Sequence, residues 1–76
     1  MKELITHIAR SLVDAPDEVK VNQEESDEAI TLELTVARED LGKVIGKQGR
    51  TARAMRSLLA ASSARDNRKS RLDILE

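Results

Sequence analysis

Asp40-Leu41-Gly42-Lys43-Val44-Ile45-Gly46-Lys47-Gln48-Gly49-Arg50-Thr51 is the stretch on which the reading of this chain turns. Leu41, Val44 and Ile45 are spaced for one face of a short helix, with Glu39 and Asp40 near its start, where the helix dipole favours acids. A second helix begins at about Arg50: Thr51, Ala52, Met55, Leu58, Leu59 and Ser62 share one arc, and Arg53 and Arg56 point outward. Gly46 and Gly49 stand between the two helices. Glycines so placed permit a turn too tight for side chains and let backbone N–H groups approach an anion closely. The second helix brings its free N–H groups and positive dipole end to the same point, and Lys47 and Arg50 add charge there. A plain helix–turn–helix connection whose glycines only relieve strain is the competing reading. Gly42 inside a helix costs about 1 kcal/mol relative to Ala, so something is expected to pack closely against it.

Other glycine motifs fail on spacing. A P-loop needs G-x-x-x-x-G-K-[ST], but Leu41 lies five residues before Gly46 and Gln48 follows Lys47; a dinucleotide G-x-G-x-x-G would need glycine where Val44 stands.

Working outward, Leu4, Ile5, Ile8, Ala9 and Leu12 recur at helical spacing between Leu4 and Val13, and Asp14-Ala15-Pro16 ends that helix. His7 falls on the opposite arc and reads as a solvated surface histidine. Val19 and Val21 flank Lys20 with period two. After an acidic connection, Asn22 to Asp27, the run from Ile30 to Val36 alternates cleanly, so two strands form a hairpin. Its turn lacks Asn-Gly or Asp-Gly chemistry. Arg65-Asp66-Asn67 reads as a loop, and Leu72 and Ile74 alternate with Arg71 and Asp73 in a last strand. The order is αββααβ. A two-helix crossover joins parallel neighbours, whereas the hairpin is antiparallel, so the expected fold is α+β: a three-stranded mixed sheet with three helices on one face. Residues 1–76 form a single domain.

Leu, Ile and Val supply 19 of 76 residues, enough for a folded core. With no Cys and one His, neither a disulfide framework nor a zinc site is available, and no metal or cofactor is expected. The absence of Phe, Tyr and Trp excludes the modules that hold single-stranded bases by aromatic stacking. No apolar run suits a signal peptide or a membrane span, so the chain is read as cytoplasmic, with no membrane partner. The net charge of −1 hides a division. Residues 1–40 carry four bases and eleven acids, a net of −7; residues 41–76 carry nine bases and three acids, a net of +6. From Lys43 to Arg56 there are five bases and no acid, a stripe suited to a polyanion.

Val44-Ile45-Gly46-Lys47-Gln48-Gly49 resembles the signature of the KH domain family. The αββααβ order resembles its type II form, and the run Asp40–Thr51 is similar to that of the small, single-KH bacterial RNA-binding proteins of the KhpA type. The likeness covers the whole chain. It implies a G-x-x-G loop that clamps the backbone of about four nucleotides of single-stranded RNA, with bases in an apolar groove. Gly46, Lys47, Gln48 and Gly49 would be the clamp, Val44 and Ile45 would help floor the groove, and Lys43 and Arg50 would meet phosphates. Arg53 and Arg56 would either extend the RNA path or form a solvated helix face. Ala52 stands where the family usually places a large aliphatic, which bears on the groove's depth.

Small residues Ser57, Ala60, Ala61 and Ala64 occupy the outer arc of the second long helix, where another helix could approach closely; a homodimer is expected, although helix propensity alone also explains alanine there. The resemblance further implies a larger, Jag-like (KhpB-type) KH partner and work as a post-transcriptional regulator or RNA chaperone. The alternative is a protein–protein assembly module with a KH-like fold and no RNA binding. An enzyme is not expected, because one exposed His and scattered acids offer no catalytic cluster.

Overall fold

Ile30, Leu32, Leu34 and Val36 turn to one side of the central strand and are all buried. The computed structural model describes residues 2–75. In it, this row is the floor on which three helices pack. The elements are α1 (Lys2–Leu12), β1 (Lys20–Glu25), β2 (Ala29–Thr35), α2 (Leu41–Ile45), α3 (Arg50–Ala64) and β3 (Lys69–Leu75). Short 3-10 turns occupy Pro16–Glu18, Arg38–Asp40 and Lys47–Gly49. The sheet order is β1-β2-β3. β1 runs antiparallel to β2, with Val21 opposite Leu34, and β3 runs parallel to it, with Leu72 opposite Leu32. The expected α+β fold, αββααβ with a mixed sheet, is the observed one.

The core is wholly aliphatic apart from one thioether. Ile5 and Ala9 of α1, Val44 of α2, and Met55 and Leu59 of α3 close over Val21, Leu32, Leu34, Val36 and Leu72. Ten large aliphatics among the described residues are buried, and each contributes about 1.5–3 kcal/mol, so the core is built without aromatic rings. Three expectations need adjusting. Leu4 and Leu12 are about 40% exposed, because Ile5 and Ala9 centre the buried stripe of α1. On α3 the buried stripe is Ala52, Met55, Leu59 and Ser63, whereas Leu58 is 45% exposed. Ser63 is accommodated because its hydroxyl donates to the Leu59 carbonyl at 2.9 Å. The acidic segment from Asn22 is not a connection: β1 continues through it to Glu25, paired with β2 but past the helical cover, so among its residues only Val21 is buried.

The hairpin turn is organised by Ser26. Its N–H donates to the Ala29 carbonyl at 2.8 Å, and its hydroxyl accepts the N–H groups of Glu28 and Ala29 at 3.3 and 3.1 Å. At the end of α3, Asn67 adopts φ 60°. The N–H groups of Asn67 and Arg68 donate to the carbonyls of Ala64 and Ser63, the paired bonds of a Schellman cap.

Asp40 does more than complement a dipole. It is 2% exposed, and its carboxylate accepts the N–H of Asp14 at 3.2 Å and of Ala15 at 3.0 Å. Lys43 Nζ lies 3.6 Å from it. One buried side chain thus ties the exit of α1 to the start of α2. Burial alone would raise this carboxyl's pKa, but the two N–H donors and the Lys43 ammonium outweigh it and hold it below the ordinary aspartate value.

Two predictions follow from these contacts. A carboxyl with a lowered folded pKa stabilises fully above its unfolded pKa, about 3.9, and loses that contribution as pH falls through the folded value. Urea melts of the parent and Asp40→Asn should therefore differ by a constant amount above about pH 4 and converge only as pH falls below that, through the folded-state value, which lies under the ordinary aspartate one. The three glycines should respond differently to alanine. At Gly46, with φ +78°, an added Cβ would sit 2.2 Å from Thr51 Oγ1 and 2.9 Å from Thr51 N, so Gly46→Ala should cost well over 1 kcal/mol. Gly49→Ala, with φ +74° but open space around it, should cost about 1 kcal/mol. Gly42 has nothing within 4 Å of an added Cβ, contrary to the close packing expected there, and Gly42→Ala should stabilise by about 0.5–1 kcal/mol.

Candidate nucleic-acid interface

α2 is only five residues long, and its last N–H bond runs from Gly46 to the Gly42 carbonyl at 2.9 Å. The chain then reverses through Gly46 (φ 78°, ψ 173°), Gln48 (φ 57°, ψ 26°) and Gly49 (φ 74°, ψ 13°), and the Gly49 N–H closes the turn on the Gly46 carbonyl at 3.1 Å. Two of these positions are glycine because L side chains rarely adopt such backbone. Gln48 is the exception, an αL residue with a Cβ, which costs about 1–2 kcal/mol if nothing holds it. Arg53 holds it: Nη2 donates to the Gln48 carbonyl at 2.7 Å. Arg50 Nη2 donates to Gln48 Oε1 at 3.3 Å. α3 itself starts without a side-chain cap, and the N–H of its first residue, Arg50, donates to the Lys47 carbonyl, so the positive end of the helix lies beside the same loop.

The nine residues expected at the site do not play equivalent parts. Gly46, Lys47, Gln48 and Gly49 form the loop, and the Lys47 side chain is exposed and makes no hydrogen bond or ion pair among the described residues. Arg50 and Arg53 are exposed on the first turns of α3 and brace the loop through Gln48. Ile45 is 37% exposed, while Val44 is fully buried and supports the loop from within the core. Lys43 points elsewhere. It is ion-paired with Asp14 and also faces Asp40, and the bond with Asp14 leads the effects that raise its pKa.

Three residues make contacts that the sequence reading did not foresee. Thr51 fills the space a Gly46 side chain would need, a contact with no signal in the sequence. Asp40 anchors α2, where a dipole role had been expected. Arg56 donates through Nε and Nη2 to the Leu72 carbonyl at 3.4 and 3.3 Å; the i, i+3 series Arg50, Arg53, Arg56 was its only trace. Arg56, Leu59 and Ala60 of α3 and Ser70 and Leu72 of β3 line a groove of about 440 Å³. A basic row thus leads along α3 from the loop to a groove with an aliphatic floor. Among the described residues no cluster of His, Cys, Asp or Glu could hold a metal ion, and no helix is long and apolar enough to cross a membrane.

The chain is similar over its whole length to proteins of one family. The family described as KhpA/KhpB, KH domain matches residues 2–74. A protein of Halalkalibacterium halodurans named RNA-binding protein KhpA is 49% identical over 76 residues, all of both chains. Proteins of the same name from Clostridium acetobutylicum (49% over 75 residues, 99% of this chain and all of the relative) and Chlamydia trachomatis (47% over 76 residues, all of this chain and 97% of the relative) are similarly close. No solved structure matches significantly. With a family match over nearly its whole length and full-length relatives near half identity, the chain belongs to the KhpA/KhpB family of KH domains.

Proposed function

We propose that this protein binds single-stranded RNA, with the Gly46–Gly49 loop against the sugar–phosphate backbone and bases in the groove between α3 and β3. The observation that carries the reading is the braced loop: left-handed backbone at Gln48 and Gly49, an uncapped helix start beside it, and Lys47 free to meet a phosphate. Support also comes from the names of the full-length relatives. Lys47 and Arg50 supply the charge, and Arg53 keeps the loop in shape. Lys43, already held by two carboxylates, acts on α2 more than on RNA. With no aromatic side chain to stack on, affinity rests on phosphates and groove contacts, so a single copy binds weakly.

Such weak binding is strengthened by pairing, and the same reading gives the protein a second copy as partner. Leu4, Leu58, Ala61, Ser62 and Arg65 line a shallow depression between α1 and α3 of about 280 Å³, next to the exposed Ser57, Ala60 and Ala64. The half-exposed Leu4 and Leu58 are what a helical interface would cover. A larger KhpB-type KH protein would compete for that face. The biological work that fits is cytoplasmic post-transcriptional regulation or RNA chaperoning.

Replacing Lys47 and Gln48 together with Asp tests the clamp. Both are exposed, and Asp tolerates the αL position, so circular dichroism should stay unchanged while binding to a single-stranded octamer disappears. For the parent, about three phosphate contacts at about 0.7 each predict a slope of log K against log salt near −2. Undiminished binding by the double variant would move the RNA from the loop to another basic surface, a slope of zero would remove the phosphate clamp, and a parent that binds no RNA would leave an assembly module as the better reading. Independently, Ala61→Arg should keep the fold and shift the protein toward monomer in light scattering; equal masses at concentrations where the parent is dimeric would remove the proposed interface.

A further inference from the structure

One wall of the α3–β3 groove is free backbone. In a parallel ladder alternate residues turn both of their polar backbone groups toward the neighbouring strand. The Lys69 N–H donates to the Glu28 carbonyl at 2.9 Å, and the Val36 N–H donates to the Leu75 carbonyl at 3.3 Å. Residues 69, 71, 73 and 75 therefore face β2. The N–H and C=O groups of Ser70, Leu72 and Ile74 point the other way, along the edge where no further strand pairs.

Leu72 sits in the middle of that edge and lines the groove. Its carbonyl, the central acceptor of the wall, is already taken by Nε and Nη2 of Arg56. A guanidinium carries five N–H donors and no acceptor, and among the described residues no other hydrogen bond engages those of Arg56. The outward Leu72 N–H is a further donor beside them. The carboxylate lining the groove, Asp73, has Oδ1 accepting from Arg71 Nε at 3.3 Å. Donors thus crowd the Leu72 position at the centre of this wall, while the acceptors left open, the outward Ser70 carbonyl and Asp73 Oδ2, belong to its neighbours along β3.

We propose that Arg56 selects the base: with the Leu72 N–H it makes the groove favour bases carrying a carbonyl at their exocyclic position, uracil and guanine, over the amino bases cytosine and adenine. The inference rests on the RNA reading above. A carbonyl oxygen meets the spare Arg56 donors directly. An amino group placed at Leu72 brings donor against donor while the acceptor at that position is covered, and groups left unpaired in a groove disfavour the complex.

Octamers of uridine and of cytidine differ at that group without differing in ring size, so their affinities for the parent, Arg56→Lys and Arg56→Ala test the proposal. The parent should favour the uridine octamer about tenfold, near the low end of what a two-donor contact to a base gives. Arg56→Lys keeps the charge but loses the planar fork. It should bring the ratio close to one while retaining most phosphate attraction. Arg56→Ala opens the Leu72 carbonyl and should tilt the ratio toward cytidine. A parent that prefers cytidine, or an Arg56→Lys protein that keeps the full uridine preference, overturns the proposal while leaving RNA binding intact. A parent that binds neither octamer overturns the RNA reading itself, and base selection falls with it. Circular dichroism monitors folding, and if Arg56→Ala does not fold, the Arg56→Lys ratio decides.

Discussion

Thr51 lies so close to Gly46 that no side chain fits between them, and the arrangement of the loop depends on this approach. Because the first turn of α3 presses on the end of α2, the chain must reverse within three residues, and it does so through backbone that only glycine adopts freely. Gln48 is forced into the same region, and Arg53, one turn into α3, returns to bond its carbonyl. Each feature supports the next: the close approach sets the reversal, the reversal strains Gln48, and the strain is met by a charged donor. A loop set in this way is ready for an anion before one arrives, so little ordering entropy is lost on contact.

The division of charge along the chain becomes a division of labour. Acids of the N-terminal half are spent on internal joints or turned away from the loop. Asp40 accepts two backbone N–H groups, Asp14 pairs with Lys43, and Glu25 at the end of β1 pairs with Arg68 at 3.4 Å. The exposed pairs add little stability by themselves. Their consequence is spatial, since they commit Lys43 and Arg68 and leave Lys47 unpaired at the loop tip.

α3 serves four purposes with four stripes of one helix. Ala52, Met55, Leu59 and Ser63 face the core; Arg50 and Arg53 brace the loop; Arg56 and Ala60 line the groove beside β3, Arg56 covering a carbonyl on its edge; Ser57, Ala61 and Ala64 face outward. Small residues at 52 and 60 keep the helix close to the sheet and to the groove, and the arginines reach further because their stems lie along the surface. An exposed sheet edge invites strand addition, and Arg56 occupies it in the middle.

Periodicity alone determined the element types and order, because alternation in β2 and helical spacing in α1, α2 and α3 each record which face is buried. The parallel pairing of β2 and β3 followed from the two-helix crossover. Gly46-Lys47-Gln48-Gly49 marked the reversal between α2 and α3, since paired glycines there permit a turn too tight for side chains. Which leucines are buried was decided only in three dimensions: Leu4 and Leu58 belong to apolar arcs by spacing, yet each lies at the margin of the helical layer. The extension of β1 into Glu24 and Glu25 was equally hidden, because an edge beyond the core imposes no hydrophobic pattern. The roles of Asp40, Lys43, Thr51 and Arg56 also belong to the tertiary structure. Each depends on a partner brought near by packing, and a polar residue carries in the sequence its chemistry but not its partner.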